Sequence, residues 1–134
     1  MALKKVNLSW NQLASIDLTS NSHLKELSLS YNQFESVNLS KNINLTHLDL
    51  TKNQINYLNL SNNKNLQVFE ACLNQLSSID LTKNVNLVEL NLAQNKLERL
   101  DLRANPQLRK VNASLNRLSE AILDKSIYLT DLNL

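Results

Sequence analysis

Leu87-Val88-Glu89-Leu90-Asn91-Leu92-Ala93-Gln94-Asn95-Lys96-Leu97-Glu98-Arg99-Leu100-Asp101-Leu102-Arg103-Ala104-Asn105 holds the nine-residue pattern LxxLxLxxN twice, with Lys96 between the copies. The LxL alternation has a period of two, so each copy describes a short strand whose leucines point one way and whose intervening residues point the other. No 3.6-residue period competes, and two strand segments in so short a stretch leave no room for a helix of ordinary length. Leucine recurs at Leu3, Leu24, Leu45, Leu66, Leu87, Leu108 and Leu129, always 21 residues apart. The chain therefore divides into units 3–23, 24–44, 45–65, 66–86, 87–107 and 108–128, with a partial unit at 129–134. A strict period of this length predicts a solenoid, because one coil cannot bury its apolar edge except against the next. No linker or shift in composition interrupts the repeat, so residues 1–134 read as one domain.

Within each unit, counted from its first leucine, apolar residues occupy positions 1, 4, 6, 11, 14 and 16. Position 9 is Asn11, Asn32, Asn53, Asn74, Asn95 and Asn116, and position 19 is Asn21, Asn42, Asn63, Asn84 and Asn105. An amide side chain both donates and accepts, so stacked asparagines can bond the backbone groups freed where each coil turns. Two structural asparagine ladders are the expectation. Glycine is absent from all 134 residues, and asparagine takes over as the turn residue. The apolar share is 43% and the aromatic share 4%.

Fourteen basic and twelve acidic residues are spread along the chain for a net charge of +2, which offers no large basic field to a nucleic-acid backbone. No apolar run approaches membrane-spanning length, and Met1-Ala2-Leu3 enters the repeat without the segments of a secretory signal. The reading is of a soluble chain without membrane insertion, and its start and finish within repeats predict a fragment of a longer protein. Cys72 is the sole cysteine and cannot form an intramolecular disulfide. His23 and His47 stand in different units, and no glycine-rich phosphate loop exists, so neither a cofactor, a metal nor a catalytic group is predicted. The column Asp17, Asn38, Asn59, Asp80 and Asp101 reads as a solvated ladder rather than a calcium site.

From Leu3-Lys4-Lys5-Val6-Asn7-Leu8-Ser9-Trp10-Asn11-Gln12-Leu13 onward, the chain resembles the leucine-rich-repeat family, whose signature is LxxLxLxxNxL. The doubled 21-residue form is similar to the bacterial subclass called IRREKO, with 87–105 the nearest copy. The resemblance implies an α/β-class leucine-rich-repeat solenoid, here mostly β. A parallel sheet would lie on a concave face, with a second short-strand or extended face opposite and little or no helix. It also implies recognition of other macromolecules, end caps and no enzyme activity, with a cell-surface or secreted setting if the chain is part of a longer bacterial protein.

Information can be stored only in the outward columns, since the inward ones are fixed by packing. Trp10, Tyr31 and Lys52, flanked by Lys5, Lys25, Glu26 and His47, form the first candidate partner-binding patch, because aromatic and long cationic side chains supply most interface hot spots. Val68, Leu73, Val88 and Leu115, with Cys72 and Ala93, form a possible apolar association patch. Leu73 and Leu115 have the alternative of folding back over Ala71 and Ala113, whose small side chains leave space at position 6. Residues Leu118 to Tyr128 depart from the repeat and predict a weakened coil. The functional reading is a non-catalytic surface for a protein partner of unknown identity. The alternative is a structural or adhesive spacer that self-associates through uncapped ends or supports a neighbouring domain.

Overall fold

The computed structural model describes residues 2–123 and 126–134. Seven strands, β1 (Lys5–Asn7), β2 (Glu26–Ser28), β3 (His47–Asp49), β4 (Val68–Glu70), β5 (Glu89–Asn91), β7 (Lys110–Asn112) and β9 (Asp131–Asn133), form one parallel sheet in that order. The opposite side pairs only in β6 (Arg99–Asp101) and β8 (Glu120–Ile122). No described residue outside these strands is helical, and none of the chain described forms a helix long and apolar enough to cross a membrane. On the second face, strand pairing among the described residues is confined to two coils. Arg99 stands opposite Glu120 in that pairing and bridges it at 2.8 Å, whereas other coils carry Ser15, Ser36, Tyr57 or Ser78 at the equivalent position.

Every pairing is between residue i and residue i+21, from Lys5↔Glu26 to Lys110↔Asp131, so no coil slips against its neighbour. A one-residue slip would turn each buried leucine to solvent, and the central residues of β2, β3, β4, β5 and β7 are all buried. Leu24, Leu45, Leu66, Leu87 and Leu108 have no exposed surface, and Phe34, Ile55, Leu76 and Leu97 are equally sealed on the turn side of the core. The coils therefore stack into one continuous column of apolar side chains.

Both asparagine ladders form, with different bonding. In the first, the Asn74 Nδ2 donates to the carbonyls of Leu50 (2.9 Å), Ala71 (3.2 Å) and Cys72 (3.3 Å), while its Oδ1 accepts the Ile55 N–H at 2.9 Å. Asn32, Asn53 and Asn95 repeat this pattern, joining each coil to the preceding one. In the second ladder, the Asn63 Nδ2 donates to the Leu39 carbonyl at 3.1 Å and the Asn42 carbonyl at 3.0 Å. The Oδ1 atoms of Asn42, Asn63, Asn84 and Asn105 are buried without a partner among the described residues. This ladder acts through its donors alone.

The column of Asp17, Asn38, Asn59, Asp80 and Asp101 caps turns. The Asp17 Oδ1 accepts the Thr19 N–H and hydroxyl, Asp80 does the same for Thr82, and Asn38 and Asn59 accept the N–H of Ser40 and Ser61. In the last full unit, the backbone turn persists through the bonds Ser126 N–H to Leu123 and Leu129 N–H to Ser126. Positions 124 and 125 of that unit lie outside the described residues.

Candidate recognition surface

Each strand of the large sheet turns one residue inward and two outward, so the exposed face is a grid of two columns with one row per coil. The first column is Lys5, Glu26, His47, Val68, Glu89, Lys110 and Asp131; the second is Asn7, Ser28, Asp49, Glu70, Asn91, Asn112 and Asn133. Just past the strand, position 8 of each coil enters the left-handed region, with φ between 55° and 60° at Trp10, Tyr31, Lys52, Leu73, Gln94 and Leu115. That region crowds the Cβ of an L-residue and costs about 1–2 kcal/mol. Glycine escapes the cost, and asparagine, aspartate and histidine bear it best. None of the six is one of these. The turn is held by the N–H of position 8, as in Tyr31 N–H to the Thr51 carbonyl at 2.8 Å, and by the following ladder asparagine.

This backbone geometry lifts the side chains of position 8 onto one edge of the sheet. Trp10 is 73% exposed, and its ring stacks on Tyr31 with centroids 3.7 Å apart and planes 10° from parallel. Trp10, Tyr31 and Lys52 line one cleft together with Gln12 and Gln54. Lys5, Glu26 and His47 belong to a separate hollow on the sheet face, where Lys5 and Glu26 bridge at 2.8 Å and the His47 Nδ1 lies 2.9 Å from the Thr46 hydroxyl. The first candidate patch is thus two adjoining sites, an edge cleft and a face hollow. Lys25 is exposed and lines neither.

The apolar candidates are also dispersed. Val68, Leu73 and Val88 are half-buried in the middle coils, as is Cys72, whose Sγ lies 3.5 Å from the Thr51 hydroxyl; Ala93 is buried. Leu115 is 72% exposed and lines a different hollow with Leu118 and Leu134, so it does not fold over Ala113.

Sequence reading did not single out the acidic middle of the grid. Asp49 accepts the Ser28 hydroxyl and the Thr51 N–H, both at 2.9 Å, while Glu89 bridges Lys110 at 3.2 Å. The carboxylate of Glu70, in register with Asp49, has no hydrogen bond or ion pair among the described residues, although its backbone carbonyl accepts the Leu50 N–H. The succession of Asp49 and Glu70 in one column was the available signal. Burial, then the charges of Asp49 and Glu89, push the Glu70 carboxyl above the usual glutamate range. Hydrogen bonds from Arg103 instead pull Asp101 down to about 2, and those from Thr19 and Thr82 lower Asp17 and Asp80.

These shifts act on stability in opposite senses. The lowered aspartates stabilise the fold above the ordinary carboxylate range, and that contribution is lost as pH falls through their lowered values. Ionised Glu70 opposes the fold above its raised value, and the penalty disappears as pH falls through it. In carboxyl NMR titrations Glu70 is expected to ionise above the ordinary glutamate value while Asp101 stays ionised down to about pH 2. A Glu70 midpoint at or below the ordinary value would contradict the crowded geometry.

Among known proteins, the family model described as Leucine Rich repeat matches residues 20–40 and 41–57. No curated protein sequence matches the chain. The functional domain of InlJ from Listeria monocytogenes, described as including a cysteine ladder, is similar in structure with a TM-score of 0.96 and 28% identity, over 98% of this chain and 29% of that one. This chain, with its single cysteine, can hold no such ladder. The TLR13–ssRNA13 complex gives a TM-score of 0.81 and 27% identity over 98% of this chain and 21% of that one. A leucine-rich-repeat protein of Leptospira interrogans shares the fold at a TM-score of 0.73 and 23% identity, over 98% of this chain and 42% of that one. The chain thus spans less than a third of the InlJ and TLR13 chains. With unslipped coils, an asparagine in every first-ladder turn and this agreement in backbone, the chain has the leucine-rich-repeat fold with a 21-residue spacing, and its residues 20–40 and 41–57 match the family's model.

Proposed function

We propose that the chain is a non-catalytic protein-recognition surface, with contacts made by the sheet face and by the turn edge that carries Trp10, Tyr31 and Lys52. The occupancy of the left-handed turn carries this reading. Six coils place Trp, Tyr, Lys, Leu, Gln and Leu where glycine or asparagine would relieve strain. The ladder holds the backbone of this turn whatever its side chain, so the strained position is free to carry residues chosen for an outside contact. A stacked tryptophan and tyrosine on a rigid edge also form an interface anchor that needs little ordering on binding.

The structural neighbour TLR13 is in complex with ssRNA13, but the strands of the present sheet carry five carboxylates against Lys5 and Lys110. Such a face opposes a phosphate backbone and favours a protein. A cell-surface or secreted setting within a longer bacterial protein accompanies this reading, on the resemblance to bacterial leucine-rich-repeat proteins.

The test compares partner recovery by the parent and by Trp10→Ala/Tyr31→Ala, with circular dichroism to establish an unchanged fold. Recovery should fall by about tenfold or more, the equivalent of roughly 1.4 kcal/mol. Trp10 is the only tryptophan, so adding purified partner should also shift the emission of the parent. Equal recovery by the two proteins would sink the edge as the binding site.

A further inference from the structure

We infer that the sheet face docks a basic polypeptide segment of its partner, with a lysine or arginine seated at Glu70 in the middle coil. The inference rests on the protein-recognition reading above and adds the partner's chemistry to it.

The shape of the face is the first support. Two hollows of about 480 and 570 Å³ lie along the sheet, one running from Lys5 to Glu70 and the other from Glu70 to Asn133. Glu70 lines both, so they meet at that side chain and form one trough crossing all seven strands. At about 4.8 Å per strand, the trough is roughly 29 Å long, enough for an extended or helical segment.

Charge is the second. The strands of the sheet carry Glu26, Asp49, Glu70, Glu89 and Asp131 against Lys5 and Lys110, although the whole chain has a net charge of +2. These same residues line the two hollows, so the trough itself is acidic and charge complementarity calls for a basic occupant. Most of these carboxylates already have partners: Glu26 has Lys5, Glu89 has Lys110, Asp49 has Ser28 and Thr51, and Asp131 has Thr130. Glu70 alone among them lacks one.

The side chains beside Glu70 supply a third support. Val68, on the same strand and lining the same hollow, is a half-buried apolar group two residues from Glu70. Lysine and arginine have long aliphatic stems that cover apolar surface while their charged ends reach an acid. Val68 fits the stem, and Glu70 with Asp49 in register beside it fits the cation. An incoming cation would also offset the charges of Asp49 and Glu89, which add to burial in raising the Glu70 carboxyl.

The probe is a phage-displayed library of random peptides selected on the folded chain, followed by affinity measurements on the enriched peptides as synthetic compounds. Enriched peptides should contain lysine or arginine, and Glu70→Gln should weaken them by about tenfold or more. Glu120→Gln, on the opposite side of the coil, should leave the affinities unchanged, and raising salt should weaken binding to the parent. Enriched peptides that lack basic residues, or that Glu70→Gln leaves unaffected, would overturn the basic occupant. If those peptides were still lost in Trp10→Ala/Tyr31→Ala, the recognition reading would stand without it. Enrichment of no peptide at all would count against both.

Discussion

Asn74→Ala is expected to destabilise the protein by about 3 kcal/mol, and Asn63→Ala by only about 1 kcal/mol, although Asn63 is the more buried. The difference lies in what each amide leaves behind. Asn74 is 8% exposed and is the acceptor for the N–H of the fully buried Ile55, which has no other partner among the described residues. Its loss orphans that N–H at a cost of about 1–3 kcal/mol, and three donated bonds to carbonyls go with it. The carbonyls that Asn63 serves, on Leu39 and Asn42, keep backbone bonds from Asn42 N–H and Leu45 N–H. Truncating Asn63 also removes an amide oxygen that had no partner among the described residues. Urea unfolding of the two variants at constant m-value checks the ordering. Equal losses would mean that the two ladders do not differ in the way their bonding indicates.

Phe69→Ala is expected to cost about 4 kcal/mol. Phe69 is fully buried in the middle coil, where its neighbours in the column are Leu48 and Leu90. Two residues later, Ala71 replaces the leucine found at Leu29, Leu50 and Leu92, and it too is fully buried. The large and the small side chain both point inward from this coil and together fill about the volume of two leucines. Ala71→Leu alone should therefore overpack the coil by about 1–3 kcal/mol, whereas Phe69→Leu/Ala71→Leu should recover most of that loss. A double-mutant cycle measures the coupling. Additive losses would show that the two residues do not share one space. Coil 108–128 has Val111 with Ala113 and so lacks this exchange of volume.

The core and both ladders were legible because packing requires the same residue in every coil. Leu24, Leu45 and their equivalents repeat, and so do Asn32 and Asn53. The left-handed turn was not legible, since its usual sign is glycine or asparagine, and Trp10, Tyr31 and Leu115 carry no such mark. The second face was legible as extended, but not the restriction of its pairing to Arg99–Asp101 and Glu120–Ile122, which goes with an ion pair available only there. The aromatic pair was visible as Trp10 and Tyr31 in one column. The separation of Lys5, Glu26 and His47 into another hollow depends on which side of the strand each residue leaves, and no residue type records that. Glu70 shows in the sequence only as the carboxylate that follows Asp49 in one column, and that its side chain lacks a partner depends on its neighbours' bonds, which spacing does not reveal.

The unslipped i to i+21 register also gives the surface a fixed pitch. Exposed groups repeat at about 4.8 Å from coil to coil, whereas the turns of a helix repeat at about 5.4 Å. A helix laid across the strands gains about 0.6 Å on the grid with every coil and is half a step out after about four. Such a partner can stay commensurate with only three or so consecutive coils. Trp10, Tyr31 and Lys52 span one block of that width, and Asp49, Glu70 and Glu89 span another that shares the coil of Lys52. A long, regular solenoid is thereby read in short words, and lengthening it adds further words without lengthening any one of them.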